Sequence, residues 1–556
     1  MTTHNQTAKK TAPIEFALFA PTIKWAALCG NFSNWQDIEL KKGPDGYFRT
    51  QFELADGEYE YKFHVQSNSP WQFGKRVFIT DPLATQVNEA KNDNGVICIR
   101  NGQRILDAYQ WQHDDAPLPA NHELVIYEIH IGDFATNIQG VVDKLDYLVQ
   151  LGVNALELMP VATNPGRFSW GYTIRHFLAM ENSYGTSGDF KRLIDQCHAR
   201  GIRVILDMVF NQAEKDSPLT QIDYKYWIVE HNTDESNFGP KFDYEHWDAA
   251  YNLFPAREFS YQVATYWTHE YHLDGVRLDG TFLIRNLDFL RTLGEKIKQA
   301  AVREPFYLVA EHIPVDPAII GPDMPMEGLW FNNFLYQIMA NLHEKEYDRW
   351  QAFDWERTKS GIQPALADLH GPTAAVLYIA NHDQSHLRNE LEHGGVSEDK
   401  IWRKAKLGYA TTLTAVGVPL IWMGDEFGQP GERSSEKSFP VQFNLLNNAP
   451  NRDLCNYVGG LARLRRQTAA LKTDNLEFTH LDTDNKLLVW KRWADDGSVV
   501  MVVANFGENS FESYNVPDFP DGGWHEYTFN YDIETQGGQL IDRFGPNECK
   551  IYLKQV

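Results

Sequence analysis

The chain has 556 residues, too long for one small domain, and predicts about two to four domains with a large core between them. Hydrophobic residues at 43% and charged residues at 23% exclude a disordered or fibrous chain. A net charge of -24 and a pI near 5.2 speak against nucleic acid and anionic membranes as partners and favour a neutral or cationic ligand.

The opening MTTHNQTAKKTAP (residues 1–13) is a polar leader without the apolar core of a signal peptide. No run of about 18 apolar residues follows anywhere, so a cytoplasmic location is expected. The segment 14–115 begins with short alternating runs (EFALFAP, WAALCGNF, YFRTQFEL, YEYKFHV) separated by Gly, Asn, Asp and Pro, which predicts a β-sandwich. Trp25, Trp35 and Trp71 in it could form a sugar-stacking platform, but tryptophans in sandwiches are more often core, and core is favoured for at least two of the three. The aperiodic stretch GQRILDAYQWQHDDAPLPANHE reads as a connector.

From 116 to 450 apolar strands alternate with amphipathic segments. The strand-like runs are VIYEIHI (125–131), NALELMPV (154–161), IRVILDMVF (202–210), DGVRLDG (274–280), FYLVAEH (306–312), GLWFNNFL (328–335), AVLYIANHD (375–383) and PLIWMGDE (419–426). Between them VVDKLDYLVQLG, SGDFKRLIDQCHARG and LDFLRTLGEKIKQAA repeat apolar residues at three and four, as helices do. Eight strands with crossovers predict an α/β fold, a (β/α)₈ TIM barrel. The region 211–272 is too long for a simple crossover and is expected to project over the barrel mouth. Residues 451–556 are expected to form a linker helix and, once alternation returns in KLLVWKRW, SVVMVVANF and CKIYLKQV, a second β-sandwich. The five scattered cysteines lack CxxC spacing and suggest neither disulfides nor a zinc site.

A barrel enzyme carries its reacting groups at the carboxyl ends of its strands. Here those ends bring Asp207 and Asn211, Arg277 and Asp279, Glu311, and Asn381, His382 and Asp383. Any one of them alone would read as a capped strand or an ion pair. Several carboxylates in one pocket are costly unless paired, bound to metal or used in catalysis. Metal binding is disfavoured because Arg277, two residues before Asp279 on the same strand face, is a poor neighbour for a cation but keeps a carboxylate ionised. Retaining glycoside hydrolysis needs one ionised nucleophile and one protonated acid. Asp279 suits the first, and Glu311, with no cation in its immediate sequence, suits the second.

The segments LDMVFN, DGVRLDG, VAEH and IANHD stand in the order and spacing of the four signature regions of glycoside hydrolase family thirteen, the α-amylase family, which the chain closely resembles over residues 125–445. GVNALELMPVATNPGRFSWGY, YGTSGDFKRLIDQCHARGIRVILD and MGDEFGQ are similar to branching enzymes and maltooligosyltrehalose trehalohydrolases, and FAPTIKWAALCGNFSNW resembles the glycogen-binding-like sandwich that precedes their barrels. The resemblance implies an α-glucan as substrate. It implies Asp279 as nucleophile, Glu311 as general acid/base and Asp383 as the carboxylate that holds the distorted sugar, with Asp207, Arg277 and His382 at the first subsite and Tyr172 stacked beneath the sugar. Gln212 stands where the family has histidine, and can still donate a hydrogen bond to a sugar hydroxyl. Thr173 and His312 also depart from the family pattern. The family allows a structural calcium, but no EF-hand-like run of oxygen ligands occurs, and no cofactor is called for. Hydrolysis is placed ahead of branching-type transfer and of trehalohydrolase action, and a non-catalytic glucan-binding protein is the distant alternative. The oligomeric state is left open.

Overall fold

A computed structural model describes residues 11–165, 170–230, 238–343, 354–432, 434 and 437–555. The first strand, Thr11–Phe19, starts inside the expected leader, because Thr11, Ala12 and Pro13 continue the antiparallel register against Ala55, Leu54 and Glu53. It joins Tyr47–Ala55 and Lys41–Lys42 in one sheet, and the other sheet is built around Gly57–Gln66. Alternation closes the core: Ile14, Phe16 and Leu18 point inward against Phe63 and Val65. The tryptophans depart from expectation. Trp35 and Trp71 are 43% and 47% exposed, and Trp25 lies half-buried beneath the Arg76 guanidinium, 3.7 Å from its ring centre. None of the three fills the core, which Phe and aliphatic side chains fill instead.

All eight predicted runs enter one closed parallel barrel. Its strands are Ile126–Ile129, Ala155–Leu158, Arg203–Met208, Gly275–Leu278, Tyr307–Ala310, Gly328–Trp330, Ala375–Leu377 and Val418–Trp422, hereafter strands one to eight. Each is buried along its whole length, as parallel strands covered on both faces must be. The outer helices are amphipathic: Leu287–Ala300 turns Phe289, Leu290, Leu293 and Ile297 to the barrel. Leu145–Leu151 ends at Gly152, whose φ of 96° suits a residue without a Cβ.

Three expectations need correction. The run 328–335 is strand only to Trp330, and Asn332–Leu342 is a helix; Phe334, Leu335, Ile338, Met339 and Leu342 recur at helical spacing, which a short apolar window conceals. The region 211–272 is not all insertion: Pro255–Glu270 is a crossover helix that buries Phe259, Val263, Ala264 and Trp267. The supposed linker helix, Ala449–Gln467, buries Leu454, Val458, Leu461 and Ala462 in the barrel's own hydrophobic cluster and belongs to it. The last domain is a six-stranded antiparallel sheet with a two-stranded partner, and it has its own core around Val489, Val503, Trp524 and Tyr552. Among the described residues no helix is long and apolar enough to cross a membrane.

Candidate active site

The register of the barrel sets the site. Asp207 on strand three lies level with Arg277 on strand four, and Arg277 with Val309 on strand five. The ladder continues past the strand ends, with Asp279 N–H donating to the Met208 carbonyl at 3.0 Å and Glu311 N–H to that of Leu278 at 2.9 Å. Asp279 and Glu311 therefore emerge side by side. Gly280 follows with φ 55°, a left-handed turn that glycine adopts without strain, and its N–H donates to Glu311 Oε2 at 2.9 Å.

Arg277, fully buried, is the hub. It hydrogen-bonds Asp207 Oδ2 and Asp279 Oδ1 at 3.1 Å and pairs by charge with Glu311 Oε2 at 2.9 Å, and its guanidinium sits 4.1 Å from the Trp330 ring centre. One cation cannot neutralise three carboxylates, so the charges of the cluster bear on one another's protonation. Burial, and then the charge of Glu311, push the Asp279 carboxyl well above the usual range. Burial acts on Glu311 too, but Arg277, the Gly280 N–H, His382 and a hydrogen bond with Asp279 together hold its carboxyl below the usual range. Sequence reasoning placed a cation beside Asp279 alone. In three dimensions the same arginine grips both carboxyls.

Across the cleft, Asp383 is 42% exposed in its side chain and 3.3 Å from His382 Nε2. His382 Nδ1 lies 2.6 Å from Glu128 Oε1, and the imidazole stacks on Tyr172 at 5.0 Å and 18°. The Tyr172 hydroxyl donates to Asp207 Oδ2 at 2.5 Å. Tyr172, Asp207, Arg277, Asp279, Glu311, His382 and Asp383 thus form one connected constellation, and Tyr172, Asp279, Glu311, His382 and Asp383 line a cavity of 760 Å³, within the about 300–1,000 Å³ usual for ligand sites.

Gln212 also lines this cavity, but its amide is engaged within the protein: Nε2 donates to the Tyr172 carbonyl at 2.9 Å and Oε1 accepts from Asn211 at 2.7 Å. It holds the segment that carries Tyr172. His312 is turned to the Thr281 hydroxyl at 3.0 Å, and burial lowers its pKa toward the neutral form. Sequence reasoning missed Glu128 and Glu157, both buried carboxyls within barrel strands. An acidic residue inside an apolar run is the signal that could have found them, since such a group needs a partner or a proton. Glu157 has no hydrogen-bond partner for either oxygen among the described residues, and burial with the charge of Glu128 pushes its pKa well up. Among the described residues no group of three or more His, Cys, Asp or Glu is arranged to hold a metal ion.

A closed barrel whose ionisable groups converge at the carboxyl ends of its strands has the build of a barrel enzyme. The family profile described as the alpha amylase catalytic domain matches residues 127–475, and the chain belongs to the α-amylase family, glycoside hydrolase family 13. Flanking it, carbohydrate-binding module 48 (isoamylase N-terminal domain) matches 4–84 and the alpha amylase C-terminal all-beta domain matches 478–550. The chain is 27% identical to a malto-oligosyltrehalose trehalohydrolase of Saccharolobus solfataricus, over 75% of this chain and 74% of that protein. It is 26% identical to the 1,4-alpha-glucan branching enzyme GlgB of a Synechococcus species, over 96% and 76%. Among solved structures, type I pullulanase from Bacillus subtilis superposes with a TM-score of 0.79 at 19% identity, covering 98% of this chain and 85% of that one. A putative alpha amylase from Salmonella typhimurium superposes with a TM-score of 0.74 at 19% identity, covering 98% of each.

Proposed function

We propose that the chain cleaves α-1,4-glucosidic bonds of starch, glycogen or maltooligosaccharides with retention of configuration, and passes the glycosyl group to water. The observation that carries the reading is the grip of one buried guanidinium on both Asp279 and Glu311. Carboxyls held by one guanidinium suit the retaining geometry, about 5–5.5 Å apart, rather than the about 6.5–9.5 Å of inverting enzymes.

In this reading the Asp279 carboxylate attacks the anomeric carbon as the glucosidic bond breaks, and Glu311 gives its proton to the leaving oxygen. Glu311 then takes a proton from water, the hydroxide oxygen bonds to the anomeric carbon, and Asp279 is released as carboxylate. The cycle needs one proton on the pair, carried by Glu311 while Asp279 is ionised, and Arg277 beside Asp279 favours that anion. Asp383 would hold ring hydroxyls, with His382 aligned by Glu128, while Tyr172 would stack beneath the sugar and Asp207 would fix Arg277. No metal or cofactor enters any step.

The relative named a branching enzyme, matched along nearly the whole chain, favours one second reading, in which a sugar 6-hydroxyl replaces water as acceptor. The trehalohydrolase relative favours maltooligosyltrehalose as a further donor. The N-terminal sandwich, residues 14–115, would bind glucan, the barrel would run from 116 through the helix ending at Gln467, and the second sandwich would follow. Five free thiols fit the cytoplasmic location. Products from amylose test the reading: new reducing ends support hydrolysis, and α-1,6 branches without reducing ends support transfer. Loss of trehalose release from maltooligosyltrehalose would remove the third donor. No product from any of these glucans, or full activity in Asp279→Asn and Glu311→Gln, would overturn it.

A further inference from the structure

Beside the catalytic cleft lies a second cavity, of 530 Å³, whose wall includes Trp71 of the N-terminal sandwich. Thr173 and Phe238 line both cavities, so the two form one trough running from Asp279 and Glu311 to the N-terminal domain. Trp71 is 47% exposed and Phe238 58% exposed, and Tyr224 meets Trp71 edge-on at 5.3 Å and 72°. Large aromatic faces left in water at the end of a cleft are a cost unless something covers them.

The position of Trp71 is built, not incidental. Its loop is clamped to the segment Pro218–Trp227, a helix kinked at Asp223: Asn68 N–H donates to the Ile222 carbonyl at 2.8 Å, the Ser67 hydroxyl to that of Gln221 at 2.6 Å and the Ser69 hydroxyl to that of Thr220. Tyr224 N–H donates back to Ser69 Oγ at 3.1 Å. Ser67 and Ser69 are fully buried, and hydrogen bonds sealed from water hold geometry tightly. On the barrel side, Phe238 is steadied by the pairing of its neighbours, where Ala213 N–H donates to the Pro240 carbonyl at 3.0 Å and Gln212 bridges to Lys241. Glu214 and Lys215 add polar groups of both signs to the wall, which suits hydroxyls better than a charged ligand.

We propose that Trp71, Tyr224 and Phe238 form an outer subsite of the catalytic cleft, which takes the part of a linear α-glucan chain that extends beyond the three carboxyls. The N-terminal sandwich then acts as one wall of the substrate trough and sets a preference for longer chains. This rests on the α-glucan reading above. Sugar rings present apolar faces that stack on aromatic rings, and the continuity of the trough leaves the bound chain itself as the occupant.

The test compares the native chain with Trp71→Ala and Trp71→Phe on maltotriose, maltoheptaose and amylose, with affinity electrophoresis in amylose gels alongside. Trp71→Ala should lose about tenfold in kcat/KM on maltoheptaose and amylose, equivalent to about 1.4 kcal/mol, through KM. On maltotriose the loss should stay within about twofold, since a short chain does not reach the subsite. Trp71→Phe should recover most of the loss, and thermal melting should match the native chain. Equal losses on short and long chains, no loss on amylose, or no recovery with Phe would each overturn the subsite. If the native chain acts on no glucan, the functional reading fails, and gel retardation decides the subsite alone: equal retardation of native and Trp71→Ala overturns it.

Discussion

Replacing Arg277 by Met should do more harm to the charge balance of the site than to its shape. Met is unbranched and flexible enough to fill the space beneath Trp330, but it leaves Asp207, Asp279 and Glu311 without the cation that touches all three. Two unit charges about 4 Å apart at an effective dielectric of about 20 interact by about 4 kcal/mol, and 1.36 kcal/mol is one pKa unit. Removing that attraction allows a rise of up to about three units in the carboxyl pair, and relaxation with water entry would reduce it to about one or two. The sign is fixed: a lost cation favours the protonated form, so the acid limb of the kcat/KM profile against pH must move upward. At neutral pH both carboxyls of the pair would then carry protons much of the time, and kcat should fall by about a hundredfold or more. The assay is reducing-end release from maltoheptaose between pH 4 and pH 9 (about half-unit steps) for native and Arg277→Met, with circular dichroism to confirm folding. A folded variant whose acid limb stays within about 0.3 units of native would refute the account of the pair, because one pKa unit is the least that loss of so close a charge should give.

Gln212→Ala removes both the donor to the Tyr172 carbonyl and the acceptor for Asn211, each worth about 1 kcal/mol; steady-state kinetics on maltopentaose should show KM up by about three- to tenfold with kcat little changed, and an unchanged KM would count against the holding role. Glu426, fully buried and bonded by Tyr127 and Tyr147 at 2.8 and 2.6 Å, is pushed up by burial to about 7. A raised folded-state pKa gives stability that is present below the unfolded value and lost as pH rises through about 7. Native chain should therefore lose melting temperature between pH 6 and pH 8 (about 1–2 °C) relative to Glu426→Gln, whose neutral amide does not titrate; parallel melting curves at both pH values would refute this.

Much of the site was legible in the order of residues because barrel strands deliver their last side chains to one rim. Asp207, Arg277, Asp279, Glu311, His382 and Asp383 could be picked out as polar ends of apolar runs, and all of them meet there. Glu128 and Glu157 escaped because a parallel strand buried on both faces has no alternation to break. The sandwich at each end announced itself by period two, whereas the helices Asn332–Leu342 and Pro255–Glu270 were hidden, one behind a short apolar run and the other inside a long insertion.

What sequence by itself determined was the set of ionisable groups at the strand ends and the architecture that gathers them, since both follow from local periodicity and from where each run ends. What only tertiary structure decided was the partnership among those groups. Arg277 reaches Glu311 across neighbouring strands, Gln212 is spent on the Tyr172 backbone, and Trp71 is carried from another domain to the edge of the cleft. The physical reason is that charge and hydrogen bonding act over a few ångströms of space, and residues brought that close by the barrel lie tens to hundreds of positions apart along the chain.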